Sequence, residues 1–128
     1  AHAAGLVAAM AKARNPFAVN AVAEAVALAA LGDDGHLSQG VALAQAERRR
    51  VSAALAATGV TCAPSQTNFL FFDCGGPAVE TAERLRQRGI LIKAWMEPPF
   101  GTWARVTMGT GDENDLFLGA LGQIRDSR

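Results

Sequence analysis

The strongest constraint on this chain is a change of period near its midpoint. Up to Thr58 the apolar residues recur every three or four positions; beyond Gly59 they gather into runs of strand length separated by turn residues. Only a fold that mixes helix and sheet satisfies both halves. The spacing predicts a first helix over Ala3–Ala13, carrying Leu6, Val7 and Met10, and stopped by Pro16 because the residue before a proline avoids the helical region. A second helix is expected from about Val19 to Leu31. Val19, Val22, Val26 and Leu28 surround it, which marks a helix packed on more than one side. Gly32-Asp33-Asp34-Gly35 reads as a turn. A long third helix follows from His36 to Thr58, with Gly59 as its left-handed C′ residue.

The second half alternates. Thr67–Asp73 (TNFLFFD) has the length and composition of a strand, and Gly75-Gly76-Pro77 opens a helix over Ala78–Arg88 that Gly89 ends. Ile90–Trp95 (ILIKAW) is a second expected strand, a Pro98-Pro99-Phe100-Gly101 loop follows, and Thr102–Met108 (TWARVTM) is a third. Thr110 caps a last helix, with Glu113 three residues on completing a capping box, and Leu116, Phe117, Ala120, Leu121 and Ile124 form its apolar face. The expected fold is α/β, more closely a two-layer α+β domain. Its order is ααα-β-α-β-β-α, with helices packed on one face of a small sheet.

Composition narrows the function classes. The chain has 128 residues, 12 basic and 12 acidic side chains and zero formal net charge, so a polyanion such as nucleic acid is a poor partner. With 50% hydrophobic residues it is long enough and apolar enough to bury a core as a single domain over 1–128. No apolar run reaches the ~18 residues of a membrane span, and no secretory leader is visible. Cys62 and Cys74 are too few for a disulfide framework and read as small buried fillers. A cytoplasmic location is expected. The chain begins Ala1-His2-Ala3, without Met and already in helical pattern, so it is expected to be a piece of a longer protein.

Few side chains stand out as carriers of chemistry. Strand alternation places Trp103, Arg105 and Thr107 on one face and Ala104, Val106 and Met108 on the other. A guanidinium in the middle of an apolar strand is costly unless it meets an anion, and its fork suits a carboxylate; an edge-strand arginine reaching solvent is the plainer alternative. Asn68 either needs buried amide partners or caps the turn before its strand. Lys93 shares a face with Leu91 and Trp95 near a strand end, where an exposed lysine is common. Arg48-Arg49-Arg50 could grip phosphate, but three adjacent helical residues point three ways, so a solvated face is favoured. Gly109-Thr110-Gly111 resembles an anion nest, though a plain cap explains it. His2 and His36 are isolated, and no metal site is expected.

Four segments in register carry a resemblance. Arg14-Asn15-Pro16-Phe17-Ala18-Val19-Asn20, Pro64-Ser65-Gln66-Thr67-Asn68-Phe69, Gly89-Ile90-Leu91-Ile92-Lys93 and Ala104-Arg105-Val106-Thr107-Met108-Gly109-Thr110 with Glu113-Asn114 stand in one order. Together they resemble the C-terminal, small domain of histidinol-phosphate aminotransferases and their fold-type I relatives, over about Leu6 to Ile124. The resemblance implies a pyridoxal-phosphate enzyme that moves an amino group between an amino acid or amino-alcohol phosphate and a 2-oxo acid such as 2-oxoglutarate. It implies that Arg105 holds the substrate carboxylate and that Asn68 lies close to the site. Lys93 would stand where an arginine usually meets the substrate phosphate. Ala18 and Lys93 depart from the usual asparagine and arginine, and the second departure leaves the amino donor open.

The same resemblance places the cofactor lysine upstream of this segment, and neither Lys12 nor Lys93 matches it. Pyridoxal phosphate is therefore expected in the full-length enzyme, no cofactor in the fragment, and no activity from the fragment alone. Small-molecule substrates and a homodimer are the implied partners, without nucleic acid or membrane. A non-enzymatic assembly module that kept the fold is the alternative in another class; an aromatic aminotransferase or an amino-acid phosphate decarboxylase is the alternative within this one.

Overall fold

The computed structural model describes residues 4–15 and 18–127. They fall into two compact units, Ala1–Leu37 and Ser38–Arg128. In the first, helix α1 spans Ala4–Ala13 and helix α2 spans Ala21–Leu31. The expected stop at Pro16 lies outside the described residues. Helix α2 starts two residues later than its apolar pattern because Asn20 is extended and its Oδ1 accepts the Ala23 N–H at 2.8 Å. Neither helix buries a residue: Leu6, Val7 and Met10 on α1 and Val22, Val26, Leu28 and Leu31 on α2 are all exposed.

Helix α3 spans Asp34–Ala57 and so begins inside the expected turn. The reason is Asp33, whose Oδ1 accepts the His36 N–H at 2.9 Å while its carbonyl accepts that of Leu37. Asp33 behaves as a cap, and Asp34 and Gly35 join the helix. At the other end Gly59 takes φ 75° and lets the Val60 N–H return to the Leu55 carbonyl, as its C′ assignment required.

The second unit holds an antiparallel three-stranded sheet of β1 (Phe69–Asp73), β2 (Lys93–Ala94) and β3 (Trp103–Thr107), in the order β1-β3-β2. Helices α4 (Ala78–Arg86) and α5 (Gly111–Asp126) complete it. The element order and the mixed helix–sheet class are those expected. One strand is much shorter than its pattern. Ile90 closes α4, its N–H bonded to the Leu85 carbonyl behind Gly89 at φ 79°, so pairing starts only at Lys93. β1 begins at Phe69 rather than Thr67, because Ser65 and Thr67 hydroxyls bond the Phe69 carbonyl and shape a turn there.

Alternation along the strands decides where the core sits. Leu70 and Phe72 of β1 and Ala104 and Val106 of β3 turn inward. They share one cluster with Val51 and Leu55 of α3, Ala78 and Leu85 of α4, and Phe117, Leu121 and Ile124 of α5. Phe72 and Phe117 meet edge-on at 5.7 Å. Cys74 is buried in this cluster and Cys62 packs half-buried beside it, its thiol pushed up by burial, which suits inert fillers. All three helices lie on this side of the sheet. Within this unit no helix covers the other face.

Candidate functional site

The open face is built by register. Arg105 sits at the centre of β3 with Phe71 of β1 and Lys93 of β2 as its direct cross-strand partners. Because β3 is the middle strand, Arg105 is not an edge-strand arginine. Its guanidinium lies 5.2 Å from the centre of the Phe69 ring, and among the described residues no carboxylate forms an ion pair with it. Lys93 is exposed on the same face. Like charges directly opposite each other destabilise a sheet, so two unpaired cations in register mark a place that an anion would relieve.

An aromatic wall stands beside this pair. Phe71 contacts Trp103 at 5.0 Å, Trp95 at 5.6 Å and Phe100 at 5.7 Å, and Phe100 meets Trp103 edge-on at 6.3 Å. The Trp95 N–H bonds the Trp103 carbonyl, which carries the β2–β3 pairing one step further and brings both indoles to one end of the face. Phe69, Phe71, Trp95, Phe100 and Arg105 line a recess of about 300 Å³. The sequence singled out Arg105 and Lys93 but not this wall. Its signal was present in the parity of Phe69, Phe71, Trp103 and Trp95, spread over two strands and a loop.

Asn68 stands apart from the pair. Its parity is that of Leu70 and Phe72, it is exposed just beyond the end of β1, and its carbonyl accepts the Met108 N–H at 2.8 Å. The arginine run separates as its helical positions require. Arg48 donates to the Thr67 carbonyl at 2.7 Å and to Gln66, Arg49 is exposed, and Arg50 turns back to Glu47 and across to Asp115.

Glu47 is a buried carboxylate that the sequence did not reveal. It accepts Arg50 at 2.7 Å and the Asn114 amide at 2.7 Å. Those hydrogen bonds, Arg50's first, hold its carboxyl below the ordinary value of 4.5. Asn114 also grips Gly109 at both ends, accepting its N–H and donating to its carbonyl. The Thr110 N–H goes to Glu113, whose own N–H returns to the Thr110 hydroxyl. The Gly109-Thr110-Gly111 segment is thus a cap whose donors the chain itself satisfies at Gly109 and Thr110, not an open anion nest. Among the described residues no His, Cys, Asp and Glu group could hold a metal, and His2 lies outside them.

The family follows from comparison with known proteins. The family described as aminotransferase class I and II matches residues 2–121. The chain belongs to that family. It is 46% identical over 113 residues to histidinol-phosphate aminotransferase 3 of Rhizobium meliloti, covering 88% of this chain and 30% of that protein. It is equally 46% identical over 111 residues to histidinol-phosphate aminotransferase 1 of Mesorhizobium japonicum. Among solved structures, the histidinol-phosphate aminotransferase of Sinorhizobium meliloti in complex with pyridoxal-5′-phosphate superposes with a TM-score of 0.85 at 31% identity, over 96% of this chain and 34% of that one. The chain thus spans about 30% of the length of the curated relatives it matches. Lys12 and Lys93, its two lysines, are both exposed, and neither is enclosed as a cofactor lysine must be. Among the described residues neither lysine therefore fits as the residue that would hold pyridoxal phosphate.

Proposed function

We propose that residues 1–128 form the single C-terminal, small domain of a pyridoxal-phosphate aminotransferase, and that their open sheet face supplies the substrate's anion contacts. The observation that carries this reading is the Lys93–Arg105 pair: two cations in register, with no carboxylate paired to either among the described residues, on the face the helices leave uncovered. Arg105 holds the carboxylate shared by amino acids and 2-oxo acids, since a guanidinium can bond both its oxygens at once. Lys93 acts as a point charge for an anionic tail on the amino donor, a phosphate or second carboxylate. Asn68 serves the site through its carbonyl, which fixes the register that sets Phe69 against Arg105. Pyridoxal phosphate would supply the electron sink for amino transfer; the part played by this chain is to hold and orient the substrate.

The reading extends to a cytoplasmic homodimer acting on small molecules. No helix among the described residues is long and apolar enough to cross a membrane. The chain's zero net charge gives no field that would draw nucleic acid. The test is amino transfer by the longer enzyme that carries this chain, with 2-oxoglutarate as acceptor and histidinol phosphate, phenylalanine and aspartate as donors. Turnover of at least one donor is expected. An enzyme that binds pyridoxal phosphate yet moves no amino group to any 2-oxo acid overturns the proposal.

A further inference from the structure

We infer that Glu47 and Arg48, neighbours on α3 that make no hydrogen bond to Arg105, are positioning residues for it. Between them they clamp the two chain segments at one end of the β1–β3 pair, and that end carries the ring against which the Arg105 guanidinium lies. The inference rests on the reading of Arg105 as a carboxylate holder and adds what keeps that side chain in place. Arg105 is exposed and its side chain is rich in rotamers. Among the described residues the one interaction of its guanidinium is with the Phe69 ring, at 5.2 Å. Phe69 belongs to the last pair of the ladder, opposite Thr107, and the end of a ladder opens most easily. Whatever keeps that end from fraying also keeps the guanidinium aimed.

The two α3 side chains close on that end from both strands. On the β1 side, Arg48 donates to the Thr67 carbonyl at 2.7 Å and to Gln66 Oε1 at 3.3 Å. The Ser65 and Thr67 hydroxyls donate in turn to the Phe69 carbonyl, at 2.7 and 3.2 Å, so the turn that Arg48 grips is the one that places Phe69. On the β3 side, Glu47 accepts the Asn114 amide at 2.7 Å, and Asn114 bonds both the N–H and the carbonyl of Gly109 at 3.1 Å. Glu47 and Asn114 are buried, which shields these bonds from competing water. Gly109 runs so close to α5 that a Cβ there would lie 3.2 Å from the Cβ of Glu113. Between the two gripped segments, the Met108 N–H bonds the Asn68 carbonyl at 2.8 Å, one step beyond the ladder. Core packing holds the strands through Leu70, Phe72, Ala104 and Val106. Phe69 is outside that cluster and depends on its backbone for its place.

The test is a double-variant cycle in the intact enzyme. Arg48→Met and Glu47→Met keep an unbranched stem and lose the hydrogen bonds; each is made alone and together with Arg105→Lys. The readouts are kcat/KM for 2-oxoglutarate and the calorimetric Kd of succinate, a dicarboxylate that cannot accept an amino group. Each α3 variant alone should weaken both by about tenfold, the scale of loss when a contact group is slightly misplaced. In the Arg105→Lys background the same substitutions should cost less than about twofold, because an ammonium has no fork to misalign. Arg48 is only half-buried, so the Arg48→Met cycle decides the matter should Glu47→Met not fold. A merely structural role gives the same loss in both backgrounds. An equal loss with and without Arg105→Lys, or no loss from Arg48→Met, overturns the clamp and leaves Arg105 standing as a carboxylate holder. Ligands indifferent to Arg105→Lys overturn that reading and the clamp with it.

Discussion

At the scale of single residues the two cations of the open face separate by chemistry. Lys93→Ala in the intact enzyme should lower kcat/KM for donors with an anionic tail and leave aromatic or aliphatic donors nearly unchanged; an equal loss for every donor would remove Lys93 from the site. Glu47 makes a different demand. A carboxyl held below 4.5 in the fold contributes stability that is present above that value and lost as pH falls through its folded value. Thermal melts should therefore show stability declining as the solution is acidified below about pH 5. Glu47→Gln should flatten that decline. Glu83, held at about 2 by its hydrogen bonds from Arg86 and then Gln87, is more exposed, and salt should weaken its share. A decline as steep in the Glu47 variant as in the parent would contradict the assignment. The strand face of Arg105 was legible in the sequence because alternation within a strand is local. Glu47 was not, because its partner Asn114 is 67 positions away and the neighbouring arginines read as a solvated face.

At the scale of elements, α5 is the clearest case of sequence dictating structure. Thr110 and Glu113 make the reciprocal capping box, and Phe117, Ala120, Leu121 and Ile124 are buried as their spacing predicted, while Leu116, expected on the same face, is 67% exposed. Thr110→Ala should cost about 1 kcal/mol of stability, read from denaturant midpoints at unchanged slope. A change below the error of such a fit would mean that core packing alone holds the first turn. The second strand was the least legible element. ILIKAW has an apolar run of strand length, yet Ile90 is used to close α4 and only Lys93 and Ala94 pair with β3. A helix-terminating glycine and a strand start compete for the same residues, and the hydrogen bond from Ile90 to Leu85 decides for the helix. The turn at Asp33 was misread for a related reason: a short acidic side chain between glycines serves a turn and a helix cap equally well.

At the scale of the whole molecule, helices α1 and α2 are apolar far beyond what their exposure justifies. Val22, Val26, Leu28 and Leu31 are each more than 60% exposed on one helix. Surfaces of that kind associate. The 128-residue chain should sediment as a dimer or larger species, and a clean monomer at high concentration would count against association through the exposed apolar surface of α2. The central claim is that this chain brings the substrate's carboxylate contact to an aminotransferase, and one measurement addresses it directly: kcat/KM of the intact enzyme for a set of 2-oxo acids, parent against Arg105→Lys. An ammonium cannot reproduce the guanidinium fork, so the account predicts a common loss of about 2–3 kcal/mol, about 30- to 150-fold, for every acceptor. Acceptors left unchanged by Arg105→Lys would contradict it.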